Sequence, residues 1–219
     1  MKNIHFHRSV VVLTAIVRLS SPPNVAGSEI ALLDRLPRHD AEFTAQVEAA
    51  VQTLPAALRT RVANAGWQIE LVRLVVDRVP ALRRRKPTGW PKSSGWENAD
   101  AVHLPNQKRI LIATHRFDRK GKLVEANRIA AVVRHELGHA IDIVLGVNGT
   151  CYSATDAYIA AHTTDCGRID AAKKTRLAYY TRPGSRAARQ ESFAELIAMQ
   201  YGGGTEGPLA DDLLAGLPN

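Results

Sequence analysis

The segment His135-Glu136-Leu137-Gly138-His139 constrains this chain of 219 residues more than any other feature of its sequence. Apolar residues around it recur at three- and four-residue steps, which predicts an amphipathic helix over 125–145 that stops at Gly146. Histidines four positions apart lie on one helix face, so their imidazoles can converge on one Zn²⁺ with the intervening glutamate beside a water. This geometry is typical of zinc proteases, whereas two unrelated surface histidines would not explain the apolar surroundings.

A catalytic zinc site of this kind needs a third protein ligand and an open position for water. The metzincin solution is excluded, because the position six residues after His139 is Leu145 and the accompanying glycine position is Asp142. The best candidate is Glu191, which lies on a later predicted helix, 52 residues beyond His139. Glu195, one turn further, can hydrogen-bond the other ring nitrogen of a ligating histidine. The alternatives are Glu195 as the ligand, or two solvated acids on a helix surface.

The segments 135–142 and 191–195 together resemble the gluzincin metallopeptidases, and within them the anthrax lethal factor catalytic domain and the secreted Pro-Pro endopeptidases. A strand and a hairpin predicted before the first segment stand in a compatible order. The resemblance implies one catalytic zinc ion held by His135, His139 and Glu191, with Glu136 as the general base.

The same group uses a tyrosine, commonly seven residues before the third ligand, to stabilise the oxyanion. That position is Gly184 in this chain, and the nearest tyrosines are Tyr180 and Tyr179, eleven and twelve residues before Glu191. Two interpretations stay open. An insertion around 181–184 shifts the tyrosine, which favours Tyr180, or another group does this work and both rings serve packing.

Other polar residues have weaker cases as parts of the site. Asp142 shares the helix face of the two histidines and is a candidate to brace them through hydrogen bonds, with an ordinary polar residue near a helix end as the equal alternative. Asp156 is a poor third ligand because its gap from the motif is long. Three single histidines lack partners at ligand spacing and are interpreted as surface or hydrogen-bonded residues: His103, His115 and His162.

The pattern of the whole chain predicts an α+β fold, a zincin-like domain in which a small mixed sheet with an edge hairpin packs on the motif helix. Helices are expected on both sides of Pro55, a strand over 67–79, and a hairpin from strands 101–104 and 109–114. Further helices are expected near 168–180 and 186–201. We expect the domain to span 28–201, followed by a short C-terminal segment over 202–219 after Gly202-Gly203-Gly204.

The N-terminus carries a basic start, an apolar run over 10–17 and small residues up to Gly27, an order that resembles a cleavable secretory signal over 1–27. We therefore expect a secreted or periplasmic protein, with a cytoplasmic first strand as the alternative, because Arg18 abuts a short apolar core. No other stretch approaches the roughly 18 apolar residues that span a bilayer. Export would permit a disulfide between the only two cysteines, Cys151 and Cys166.

The formal net charge of +8 would favour anionic partners, but charge alone does not choose among them. The densest basic run, over 83–86, lies in a Pro/Gly-rich stretch and predicts a solvated loop, so we expect no specific nucleic-acid partner. We expect instead a peptide substrate that pairs along the hairpin edge, with Trp90 or Trp96 as a subsite wall. The alternatives are a basic nucleic-acid-binding protein with a structural or incidental metal, and an exported toxin with the same peptidase chemistry.

Overall fold

The computed structural model describes residues 41–87 and 94–204. The leader predicted over 1–27, Trp90 and the segment 205–219 lie outside these residues. The described chain opens with helices α1 (Ala41–Gln52) and α2 (Ala56–Asn64), with Pro55 directly before the second. Gly66 adopts a φ of 88° after α2, a left-handed conformation that favours glycine and turns the chain into the sheet. The predicted helices on both sides of Pro55 are confirmed.

A three-stranded mixed sheet has the order β1 (Gln68–Val72), β3 (Arg109–Ala113), β2 (Ala101–Leu104). Strands β1 and β3 are parallel, and β2 and β3 are antiparallel with Ala101 opposite Ile112 and Leu104 opposite Arg109. Strand β2 is therefore an edge strand of this sheet. The predicted hairpin is confirmed, and the connection between its strands is a short 3₁₀ turn, Pro105–Gln107. A second, two-stranded sheet pairs β4 (His115–Phe117) with β5 (Leu123–Glu125).

The predicted strand over 67–79 is wrong in its second half. The strand stops at Val72, and a short helix α3 (Val75–Arg78) and a 3₁₀ turn (Pro80–Arg84) follow. Val75 and Val76 are fully buried in this helix. A run of β-branched apolar residues satisfies burial equally well in either conformation, so its composition cannot mark where the strand ends.

The motif helix is α4 (Ile129–Leu145), shorter at its start than predicted because β5 occupies residues 123–125. The helix predicted near 168–180 is confirmed in part, because the helical residues there form two short helices and a further helix precedes them. The structure has α5 (Asp156–Arg168), α6 (Ala171–Arg176) and α7 (Ala178–Thr181). Thr155 caps α5, and Asp170 caps α6 by accepting a hydrogen bond from the Lys173 amide, which starts a new helix inside the expected one. The chain then forms α8 (Arg186–Gln200), as predicted.

The core lies on both faces of the three-stranded sheet because β3 alternates its side chains between them. Ile110 and Ile112 belong to the main core together with Val133, Leu137 and Ile141 of α4. Leu111 and Ala113 belong to a second cluster with residues of β1, β2 and α3. Helix α4 is thus held between the sheet on one side and the other helices, which fixes the direction of its histidines. Among the described helices, none combines the length and apolarity needed to cross a bilayer.

The predicted Cys151–Cys166 disulfide is not formed, and both cysteines are free thiols. The Cys151 sulfur accepts a hydrogen bond from the Gln190 side chain on α8, at 3.3 Å. Cys166 lies on α5 beside His162, with its sulfur 3.6 Å from Nε2. Each sulfur therefore has its own local partner on a different element.

Candidate metal centre

Helices α4 and α8 lie in close contact at the glycine of the motif. A Cβ atom placed on Gly138 would lie 2.6 Å from the Cα and 2.7 Å from the carbonyl oxygen of Ala194. Only glycine fits at that distance, so the two backbones touch here. Glu191 and Glu195 flank Ala194 on α8, and the contact brings both carboxylates to the histidine face of α4.

The three residues predicted as ligands come together at this contact. Glu191 Oε2 lies 3.3 Å from His135 Nε2 and 3.7 Å from His139 Nε2. The two imidazoles meet nearly at right angles, with ring centroids 4.9 Å apart and an interplanar angle of 85°. One candidate ligand atom from each residue lies within 4.8 Å of the other two. Two imidazole nitrogens and one carboxylate oxygen are a donor set that suits zinc and leaves a fourth position open.

Glu195 contacts the far side of the first histidine. Its carboxylate is completely buried, and its Oε2 lies 2.8 Å from His135 Nδ1. An Nδ1–H that donates to this carboxylate fixes the ring so that Nε2 faces Glu191, and Nε2 is then the atom that can bind a metal when it loses its proton. The position of Glu195 is the one that a residue orienting His135 requires.

The charges of the cluster act strongly on each other. Burial disfavours the imidazolium of His135, but the hydrogen bonds with Glu191 and Glu195 outweigh it and raise the pKa of His135 to about 10. Burial, together with the charges of His103 and His135, lowers the pKa of His139, although Glu191 acts in the opposite direction. Burial alone would raise the pKa of Glu191, yet its two histidine partners hold it well below its usual range. Without a metal the cluster therefore pairs the anionic Glu191 carboxylate with a protonated His135, and a cation that binds here would displace that proton.

Glu136 is mostly buried and has a partner that the sequence analysis did not identify. Its Oε2 lies 3.2 Å from Nδ1 of His103, a residue of edge strand β2. Burial would raise the pKa of Glu136, but the hydrogen bond and charge of His103, with the charges of the motif histidines, lower it. Glu136 is thus held as a carboxylate. The signal that could have found His103 is its place on the predicted hairpin edge, next to the expected substrate.

His103 also stacks on His139, with ring centroids 4.1 Å apart and an interplanar angle of 23°. His103, Glu136 and His139 therefore form a second group of possible metal ligands, which shares His139 with the first. An imidazole directs its nitrogen lone pair within its ring plane, so two nearly parallel stacked rings cannot both point at one ion, whereas rings at 85° can. The geometry favours the His135–His139–Glu191 group as the candidate metal site. His103 instead contacts Glu136 and His139.

The two tyrosines lie in α7, before α8. Tyr180 is buried in a small apolar cluster with Ile169 and Leu177, and its backbone carbonyl accepts a hydrogen bond from Ser192. Tyr179 packs edge-on against Tyr180 and is partly exposed. Both rings therefore take part in packing beside α8, and the oxyanion role suggested for Tyr180 stays a prediction.

The remaining candidates lie around the site rather than in it. Asp142 is buried and accepts hydrogen bonds from the amide and hydroxyl of Ser153, at 2.6 and 2.7 Å, so it fastens the loop after α4. Asp156 is exposed at the start of α5. His162 contacts the Tyr180 carbonyl, and Trp96 packs on the second apolar cluster.

Comparison with known proteins gives a match at the level of structure. No family profile matches the chain, and the comparison with curated proteins by sequence gives no match either. The chain is similar in structure to the Pro-Pro endopeptidase PPEP-2 from Paenibacillus alvei, with a TM-score of 0.56 and 16% sequence identity. The match covers 84% of this chain and 93% of that one. The likeness confirms the predicted fold, an α+β domain in which a small mixed sheet packs on a central helix.

Proposed function

We propose that this protein is a zinc-dependent endopeptidase. The observation that carries the proposal is the convergence of His135, His139 and Glu191, with the Glu191 carboxylate within 3.7 Å of both Nε2 atoms. His135 and His139 as neutral imidazoles, and Glu191 as a carboxylate, would hold one zinc ion. When bound, zinc supplies Lewis-acid chemistry: it polarises a carbonyl group and lowers the pKa of water toward 7.

The protein's own side chains provide proton transfer and orientation. Glu136 is anionic and one residue from a ligand, so it is the group that takes a proton from the attacking water and later gives it to the leaving amine. Glu195 keeps the His135 ring in the orientation that directs Nε2 to the site. His103 holds Glu136 Oε2, which leaves the other carboxylate oxygen for the water.

The fold supports a peptide as the substrate. The structural neighbour from Paenibacillus alvei is described as a Pro-Pro endopeptidase. In this chain the edge strand β2 carries His103 directly beside Glu136, so a peptide that pairs with β2 in an extended conformation would pass the site. We propose peptide-bond hydrolysis along this edge.

Glu136→Gln tests the proposal. The variant should bind one zinc ion per chain like the native protein, because Glu136 is not a ligand, but its cleavage of a peptide library should fall by roughly 10²- to 10⁴-fold. Glu48→Gln, an exposed glutamate on α1, is the matched control and should retain full activity. His135→Ala should lose zinc and activity together. Undiminished cleavage by Glu136→Gln, or cleavage by a chain stripped of metal, would defeat the proposal.

A further inference from the structure

The residue just before the first motif histidine makes a connection to the end of α8. Arg134 is buried, and its guanidinium donates to the carbonyl oxygens of Gly202 and Gly203 at 2.9–3.2 Å. Arg134 thus fastens to α4 the segment that follows α8. A segment of three glycines would otherwise be free to move.

The third glycine contacts the Glu195 carboxylate. A Cβ atom placed on Gly204 would lie 2.0 Å from Glu195 Oε1 and 2.7 Å from Cδ. The other oxygen of the same carboxylate, Oε2, lies 2.8 Å from His135 Nδ1. The carboxylate is therefore held between the Gly204 backbone on one side and the His135 ring on the other.

Each of the three positions requires glycine for a physical reason of its own. Gly202 and Gly203 have φ angles of 134° and 112°. Residues that carry a side chain rarely adopt these angles, whereas glycine does so readily. Gly204 has no such backbone requirement, but it has no room for a side chain because the Glu195 carboxylate, together with Cγ of Met199, fills that space. A plain flexible linker would require none of these features.

We propose that Arg134 and Gly202–Gly204, which we call the glycine clasp, position Glu195 and through it the His135 ring that binds zinc. The inference rests on the proposed metal site and adds a positioning element to it. A carboxylate confined on both sides keeps its hydrogen bond to Nδ1 and so keeps Nε2 aimed at the ion. Residues that orient a metal ligand in this way typically change metal affinity about 10- to 100-fold when altered.

Gly204→Ala is the direct test, because its added methyl group must push the carboxylate away from its place without straining the backbone. We expect zinc affinity, measured by competition with a chelating dye, to fall at least roughly tenfold. The visible spectrum of the Co²⁺-substituted protein should change, because it reports the ligand geometry. The KM for a peptide should stay the same, since the clasp lies behind the histidine. Gly167→Ala, which adds the same methyl group in open space on α5, is the matched control and should change none of these values.

A double-variant cycle shows whether the effect passes through Glu195. If it does, Gly204→Ala should add little to the loss of zinc affinity already caused by Glu195→Gln. Arg134→Lys keeps the positive charge but has fewer hydrogen-bond donors. Its loss of zinc affinity should be smaller than that of Arg134→Gln, which has no charge. This second pair also tests the clasp if Gly204→Ala does not fold.

The outcomes separate the clasp from the proposed function. Native zinc affinity and an unchanged Co²⁺ spectrum in folded Gly204→Ala would overturn the clasp, as would additive losses in the double variant. If the native protein binds no zinc, or binds it without cleaving peptides, the proposed function fails, whereas weaker zinc binding in the clasp variants alone would support the clasp.

Discussion

The orientation of the Glu136 carboxylate depends on His103, which lies on a different secondary-structure element. His103 on β2 holds Oε2 at 3.2 Å and stacks on His139 at 4.1 Å. The sequence indicated the roles of positions 135, 136 and 139 because a helix places them on one face by local geometry. For His103 the sequence offered only its place on the predicted hairpin edge, because the contact between β2 and α4 depends on the register of the hairpin and the packing of the sheet on the helix.

His103→Phe tests this contact. A phenyl ring can keep the stacking on His139 but cannot hydrogen-bond Glu136, so the base loses its orientation while the proposed metal ligands stay in place. We expect kcat to fall roughly tenfold, a part of the 10²–10⁴ that general acid–base catalysis provides, with zinc content and KM unchanged. Steady-state kinetics and metal analysis check it. His115→Phe, on β4 of the second sheet, is the control and should keep its kcat, and an equal loss in both variants would argue against a specific contact.

At the scale of elements, the site is built by the packing of α8 on α4. Helical periodicity predicted both helices, and the chemistry of zinc ligands together with the family resemblance selected Glu191. The closeness of the two helices depends on the contact of Gly138 with Ala194, which are far apart in the sequence and show no periodic signal. The boundaries that the sequence predicted incorrectly have local causes. Asp170 caps a new helix within 168–180, and Val75 and Val76 are buried in a helix as fully as they would be in a strand.

Gly138→Ala should therefore disrupt the site without touching any ligand. The added methyl group would meet the Ala194 backbone at 2.6 Å and must push α8 away from α4. We expect a loss of about 1–3 kcal/mol in the free energy of unfolding and a much weaker affinity for zinc. Denaturant unfolding and zinc titration measure the two effects.

Gly167→Ala is the control for this prediction. It replaces a helical glycine that has nothing within 4 Å of the added Cβ, so the better helix propensity of alanine should stabilise the protein by about 0.5–1 kcal/mol. A Gly138→Ala protein that is as stable as native and binds zinc normally would show that the two helices are not held by this contact.

At the scale of the whole molecule, the main core supports the proposed site, while α5 carries buried polar groups that the site does not use. Asp165 is buried, and within the described part of the chain its Oδ1 has no hydrogen-bond partner. The cost of burial exceeds the favourable charge of Arg168 and raises the pKa of Asp165 to about 6. The sequence predicted neither α5 nor the burial of Asp165, because an acidic residue without a partner is typical of an exposed position.

A carboxyl whose pKa is raised by folding binds its proton more tightly in the folded state than in the unfolded state. Its contribution to stability is fully present below the unfolded pKa, near 3.8, and is lost as the pH rises through about 6. Asp165→Asn has no proton to lose, so it should be about as stable as the native protein at pH 3.5 and more stable by about 3 kcal/mol at pH 7. Denaturant unfolding in the presence of a chelator measures this difference free of any metal contribution. Asp156→Asn, an exposed position on the same helix, should show no such gain, and a stability difference for Asp165→Asn that does not change with pH would mean that the buried carboxyl is not the cause.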